Sequence, residues 1–363
     1  MKFLITGGHI TPALAVATEL KNRDAKDIVF VGRKYTYEDD REVSFEYQEV
    51  ERDGYRFIDL KAGRLSRVLD FRSVLNILYV PLGFLGALRI LRSEKPDVIL
   101  SFGGYIALPI SIVGSLLKIP VFTQEQTIAP GIANKIIAFF ARRVFVSFPQ
   151  SAHSFNKNKT IISGNPIRKE VFIKKDIEES LDKSKPTLLI MGGSLGSHSI
   201  NLHIENIVKK LCEKYNVIHQ TGNVAKYGDY ERLRRLEIKD YFVKDHIRGE
   251  VYGSYLSAAD VIISRSGANT IFELIALKKP AVLIPLPWAS GGEQQKQADV
   301  LKQAGAAEIF DQNQESSVLE SLIETVIANK TDYERNYSAI SNLYKKDAAQ
   351  IIVDSIYEIL HAS

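Results

Sequence analysis

Val261-Ile262-Ile263-Ser264-Arg265-Ser266-Gly267-Ala268-Asn269-Thr270-Ile271-Phe272-Glu273 passes from a short β-branched apolar run, through a glycine turn, into a helical pattern. The run shows no polar alternation, which suits a parallel strand buried on both faces. The same cadence recurs along the chain. Apolar runs at 2–5, 28–31, 98–100, 121–122 and 144–146 read as strands of one sheet, and those at 188–190, 217–218, 261–263 and 282–284 as strands of a second. Amphipathic segments such as 12–21 and 270–277 lie between them. Strand–helix alternation predicts an α/β chain with two doubly wound parallel-sheet domains facing a cleft at the carboxyl ends of the strands, where such sheets bind ligands.

The chain has 363 residues, enough for about two domains. With 45% hydrophobic and 25% charged residues it has a globular composition, which excludes disordered and low-complexity classes. The expected division is residues 1–165 and 166–344, with a seam in the polar stretch 165–186. A last helix, about 348–360, carries Ile351, Ile352, Ile356 and Ile359, and its spacing suits packing on either domain. The single cysteine, Cys212, forms no internal disulfide and fits a reducing cytoplasm. The net charge of +4 does not argue for nucleic acid. It is uneven: residues 1–165 hold 22 basic and 16 acidic side chains, so an anionic partner is expected for the first half. The apolar run 1–5 is too short for an export signal, and the strongly apolar uncharged stretch 73–88, sixteen residues long, falls short of the roughly 20 that span a membrane.

The turns after the strands carry the chemistry. Thr6-Gly7-Gly8-His9 leads into a helix marked by Pro12, where glycines admit an anion to backbone amides. Ser101-Phe102-Gly103-Gly104-Tyr105 and Gln124-Glu125-Gln126-Thr127 follow two further strands, and Glu125 sits in apolar surroundings, so it is paired or functional. Met191-Gly192-Gly193-Ser194-Leu195-Gly196-Ser197 repeats the strand–glycine–helix pattern without the Gly-Lys-Ser/Thr of a P-loop. Free amides at Ser266–Thr270 suit a diphosphate and Glu273 a ribose diol, while Glu293, Gln294 and Gln297 suit the hydroxyls of a neutral sugar. No His/Asp/Glu cluster has metal-ligand spacing, so no protein-held metal is expected. Residues 61–92 set Lys61, Arg64, Arg67, Arg72, Arg89 and Arg92 around an apolar segment with one acid, Asp70. Apolar bulk together with positive charge predicts contact with an anionic membrane surface; the alternative is a buried outer-layer helix.

These loops, with Asn165-Pro166-Ile167-Arg168, His219-Gln220-Thr221-Gly222 and Glu293-Gln294, resemble the MurG family, the UDP-N-acetylglucosamine transferases that complete lipid II. The resemblance runs nearly the whole chain, with Gln124 standing where the family carries histidine. It implies a GT-B fold of two Rossmann-like domains, an N-terminal acceptor domain touching the cytoplasmic face of the membrane, a C-terminal donor domain, and a final helix (about 345–363) returning to the first domain. It implies UDP-GlcNAc and lipid I as substrates, no cofactor held by the protein, no nucleic acid, and a place in a cell-wall synthesis complex serving cell shape and division. By position, Arg168 and Ser194 would lie at the donor diphosphate and Ala268, Asn269 and Thr270 along it. Ile247 would meet uracil through its backbone, Glu273 the ribose, and Glu293, Gln294 and Gln297 the GlcNAc. On the acceptor side would stand Thr6, Gly7, Gly8, Gly103, Gly104, Tyr105 and Thr127, with His9 as first choice of general base and Glu125 as second. Other readings of the same loops are a GT-B transferase for another lipid acceptor, a UDP-GlcNAc 2-epimerase and a non-catalytic nucleotide-sugar-binding subunit.

Overall fold

In the computed structural model, described for all residues except 24, 36–42, 61–70, 194–195, 223, 225–226 and 362–363, and without the side chains of 71–80 and 290, the chain divides into two compact domains. One comprises Met1–Arg168 with Lys345–Ser363, the other Lys169–Tyr344. The boundary thus falls after Arg168 rather than after residue 165.

The first domain holds strands β1 (Lys2–Thr6), β2 (Asp27–Gly32), β3 (Arg56–Asp59), β4 (Val98–Ser101), β5 (Val121–Glu125), β6 (Arg143–Val146) and β7 (Thr160–Ile162), in the order β3-β2-β1-β4-β5-β6-β7. All pairings are parallel. Alternate residues serve opposite faces, as the period of two requires. Phe3 and Ile5 of β1 join Val98 and Leu100 of β4 in one core, while Leu4 and Ile99 enter the other. The first core is completed by the final helix, Ala348–His361, through Ile352, Val353 and Ile356, each fully buried. The second core lies beneath the outer helices Phe71–Glu94, Ala107–Leu116 and Ile132–Phe140.

The second domain holds β8 (Thr187–Met191), β9 (Asn216–Gln220), β10 (Tyr241–Lys244), β11 (Val261–Ser264), β12 (Ala281–Leu283) and β13 (Ala307–Ile309), again all parallel, in the order β10-β9-β8-β11-β12-β13. The helix His198–Lys214 packs its apolar face (Ile200, Ile204, Ile207, Val208 and Leu211) on this sheet together with Leu319 and Ile323. In both sheets the turns expected to carry function leave the central strands, β1, β4 and β5 in one and β8, β11 and β12 in the other.

Candidate active site

In the first domain the turns after β1 and β4 are built against each other. Gly7 sits at φ +139°, and a Cβ there would come within 2.7 Å of the Phe102 carbonyl carbon. The Gly8 N–H donates to Gly103 O at 3.2 Å, and Gly103 and Gly104 also have positive φ. Gly8 itself faces open space. Neighbouring strand ends therefore bring Thr6, Gly7, Gly8, His9, Gly103, Gly104 and Tyr105 to one edge of the sheet. Beside them the Arg33 guanidinium lies 5.9 Å from the Tyr105 ring centroid, in cation–π range.

His9 caps the helix Ile10–Asn22 without a side-chain cap bond and is half-buried. Burial lowers its pKa below the ordinary histidine value, against the raising pull of the Glu125 carboxylate. The imidazole is thus neutral near pH 7, the form that accepts a proton. Glu125 is organised differently. Its Oε1 accepts from Thr127 N at 2.8 Å and from Thr127 Oγ1 at 2.7 Å, and its Oε2 from Gly131 N at 3.2 Å and Asn134 Nδ2 at 2.9 Å. A carboxylate offers about four lone-pair sites, and these four donors occupy them. Glu125 therefore staples its own loop and acts on His9 by charge, a geometry that suits a positioning residue better than a second base. Three buried oxygens here have no hydrogen-bond partner among the described residues: Thr6 Oγ1, Gln124 Oε1 and Gln126 Oε1. Buried acceptors and hydroxyls normally find partners, so these three oxygens carry unmet hydrogen-bonding capacity.

In the second domain the turn after β8 depends on two glycines. A Cβ on Gly192 would lie 2.2 Å from Ser197 N, and one on Gly196, at φ +78°, would lie 2.0 Å from Thr221 O. Ser194 lies outside the described residues. Gln220, at the end of β9, donates through Nε2 to Gly193 O at 3.1 Å and accepts the Ile247 N–H at 3.0 Å. The Ile247 N–H is therefore engaged within the domain. After β11, Gly267 is the N-cap of the helix Ala268–Leu277, whose first turn is Ala268, Asn269 and Thr270, and as a glycine it offers that turn no side-chain cap. Uncapped amides and the helix dipole make this terminus a receptor for negative charge. One turn on, buried Glu273 accepts from Tyr252 OH at 2.8 Å.

Two glutamine assignments change character. Gln294 Oε1 accepts the Leu286 N–H at 3.0 Å, and its carbonyl accepts from Ser266 Oγ at 2.8 Å. Gln297 donates to Ser266 O at 2.8 Å while its buried Oε1 has no partner among the described residues. Both brace the turn before the helix Ala268–Leu277. Glu293 opens the helix Glu293–Gln303. Arg168, expected at the donor, belongs to the first domain and there pairs at 2.8 Å with Glu49 of the same domain, a carboxylate only 2% exposed. Sequence reasoning assigned no role to Gln220, Tyr252 or Arg265. Gln220 and Arg265 stood in motifs already singled out; Tyr252 marks itself only through its partner.

Two doubly wound parallel domains with glycine turns and an uncapped helix start at the carboxyl strand ends define the GT-B class of glycosyltransferases. Residues 6–146 match the glycosyltransferase family 28 N-terminal domain and residues 187–352 its C-terminal domain. The chain is 33% identical over 371 residues to the UDP-N-acetylglucosamine–N-acetylmuramyl-(pentapeptide) pyrophosphoryl-undecaprenol N-acetylglucosamine transferase of Clostridium novyi, covering 99% of this chain and 98% of that protein. It superposes on the crystal structure of Acinetobacter baumannii MurG with a TM-score of 0.71 at 26% identity, over 99% of this chain and 100% of that one. A UDP-GlcNAc 2-epimerase from Neisseria meningitidis shares the fold alone (TM-score 0.64, 15% identity, 99% and 100% covered). The chain belongs to glycosyltransferase family 28 and, within it, to the MurG family.

Proposed function

We propose that the chain transfers GlcNAc from UDP-GlcNAc to the C4 hydroxyl of the MurNAc in lipid I, with inversion, giving lipid II. The observation that carries this reading is full-length identity above 30% to a transferase of that name. In the proposal the second domain takes the donor. Its uracil lies against Ile247, its ribose against Glu273, and its diphosphate against Ala268, Asn269 and Thr270, with Ser194 and Arg168 as further contacts. Glu293 and Gln294 with Gln297 address the sugar. The first domain takes the acceptor at Thr6, Gly7, Gly8, Gly103, Gly104, Tyr105 and Thr127.

His9 takes the proton of the C4 hydroxyl as its oxygen bonds to the anomeric carbon. The bond from that carbon to the UDP oxygen breaks, and UDP departs with the electron pair. Charge developing on UDP is met by the fixed amides of the helix Ala268–Leu277, the kind of preorganised stabilisation that contributes most in such sites. The proposal involves no protein-held metal or cofactor and no nucleic acid.

An anionic membrane surface is the proposed platform. Leu82, Leu85, Leu116, Ile132 and Phe139 are each more than half exposed on the outer helices of the first domain, with Arg89, Arg92, Lys118 and Lys135 also exposed among them. Lys61, Arg64, Arg67 and Asp70 of the expected basic frame lie outside the described residues, as does the side chain of Arg72. Among the described residues no helix is long and apolar enough to cross a membrane. Peripheral attachment at the cytoplasmic face, and work within a cell-wall complex that shapes and divides the cell, extend the same reading.

The test is UDP release from UDP-GlcNAc with and without a lipid I analogue, followed by product identification. Lipid-I-dependent release with a β-1,4 disaccharide product supports the proposal. UDP-GlcNAc binding without such release redirects it to another lipid acceptor or a binding subunit, and acceptor-free epimerisation to the 2-epimerase reading.

A further inference from the structure

The residue that links the second domain's two glycine turns is Arg265. It is 8% exposed and makes only neutral contacts. Its Nη2 donates to Ser197 Oγ and Ser199 Oγ at 2.7 Å each and to Gln312 Oε1 at 3.0 Å, and its Nη1 to the carbonyls of Ile284 and Pro285 at 3.0 and 3.4 Å. Among the described residues no carboxylate pairs with it. Burial alone shifts its pKa, down to about 10, as expected of a desolvated cation with no acid at hand. A buried charge is ordinarily paired, because desolvation is costly. The side chain's position is equally specific. Ser197 is the N-cap of the helix His198–Lys214, and the backbone of Arg265 leads through Ser266 and Gly267 into the helix Ala268–Leu277. At neither terminus does the N-cap residue's own side chain cap the helix. One guanidinium thus ties together two uncapped helix starts on the adjacent strands β8 and β11.

We propose that Arg265 is a positioning residue for the donor's diphosphate: its uncompensated charge, held by Ser197, Ser199 and Gln312, makes the paired helix starts selective for a nucleoside diphosphate over the nucleoside. The missing counter-ion is the ligand. This inference rests on the donor-site reading above and adds the group that supplies the charge.

The experiment measures the Kd of UDP and of uridine by calorimetry on the full chain, for the unsubstituted protein, Arg265→Gln and Gln312→Glu. The second variant keeps Arg265 in place and sets a carboxylate where an amide oxygen now accepts from it, cancelling the charge without removing the support. Weakening of UDP by at least about tenfold in both variants, with uridine held within about twofold, is expected from one charge lost near a partly shielded anion. Gln312→Glu keeps or raises the thermal midpoint. If Arg265→Gln fails to fold, Gln312→Glu decides alone. Equal weakening of UDP and uridine, or no change in their ratio in Gln312→Glu, overturns the charge role in favour of simple structural support. If the unsubstituted protein binds uridine no better than a non-pyrimidine nucleoside and does not bind UDP, the donor-site reading itself falls, and this inference with it.

Discussion

Replacing Glu125 by Gln should damage the first domain before it damages chemistry. The carboxylate is 3% exposed and accepts four hydrogen bonds, two at each oxygen. An amide swaps one oxygen for an NH2 group that faces two donors. If that group replaces Oε2, the Gly131 N–H and the Asn134 amide lose their acceptor. Asn134 cannot compensate by turning over, because its Oδ1 accepts from Thr123 Oγ1 at 3.1 Å and its Nδ2 also faces Gln124 O at 3.2 Å. Hydrogen bonds to a charged group contribute about 1.5–3 kcal/mol each, and stranded buried donors cost a similar amount, so a loss of about 3–5 kcal/mol follows after partial relaxation. For a domain of this size that lowers Tm by about 10 °C. The assay is calorimetric unfolding of Glu125→Gln beside Asn134→Ala, which should cost about 2–3 kcal/mol because it leaves the carboxylate one donor short. UDP affinity, which the proposal assigns to the other domain, should stay within about twofold in both. A Glu125→Gln protein with unchanged Tm and abolished turnover would refute the stapling argument and return Glu125 to proton transfer.

Four other perturbations have defined outcomes. His9→Ala should lower turnover by at least about 100-fold with UDP binding intact, since general bases contribute that order; a loss within about tenfold would remove the role. Because burial lowers the His9 pKa, kcat/KM should be flat from pH 7 to 8 and fall only in acid, below the usual histidine midpoint; a midpoint above 7 would contradict it. His219 is fully buried with its pKa pushed down to about 3. It lies 3.0 Å from Asn201 Oδ1 through Nε2 and 2.8 Å from Tyr241 OH through Nδ1. The unfolded chain therefore binds the extra proton first, and the second domain should lose up to about 1.4 kcal/mol per pH unit as pH falls from about 6.5 towards 3; urea titrations of His219→Gln should show a shallower slope. Gly7→Ala should destabilise the first domain severely, because its Cβ would strike the Phe102 backbone, whereas Gly8→Ala, with nothing within 4 Å, should leave Tm unmoved while reducing acceptor turnover.

Nine strands were readable from apolar runs, and the four that were not, β3, β7, β10 and β13, are the four edges of the two sheets. An edge strand is covered on fewer sides, so nothing forces a continuous apolar run. Arg56–Asp59 begins and ends on exposed charged residues, and every residue of Tyr241–Lys244 is half-buried. The glycine turns were legible because positive φ and close backbone approach leave few other residue types possible. The partners were not. That Glu125 would be saturated by Thr127, Gly131 and Asn134, or that Arg168 would meet Glu49, depends on side chains brought together by the fold from distant positions. The sequence of 61–92 allows either a membrane-facing or a buried segment, and the described part has one buried face and one exposed apolar face. Ala87 and Leu91 are buried in the domain core while Leu82 and Leu85 of the same helix are exposed.

The final helix completes a core whose first strand is the first in the chain, and the whole of Lys169–Tyr344 intervenes. On the ribosome, then, the second domain is continuous and can close as soon as it emerges, while the first-domain core around Phe3 stays incomplete until residues 348–361 arrive. The order of maturation is the reverse of the order of synthesis, and an interrupted translation product would carry a finished second domain on an unfinished, aggregation-prone first one.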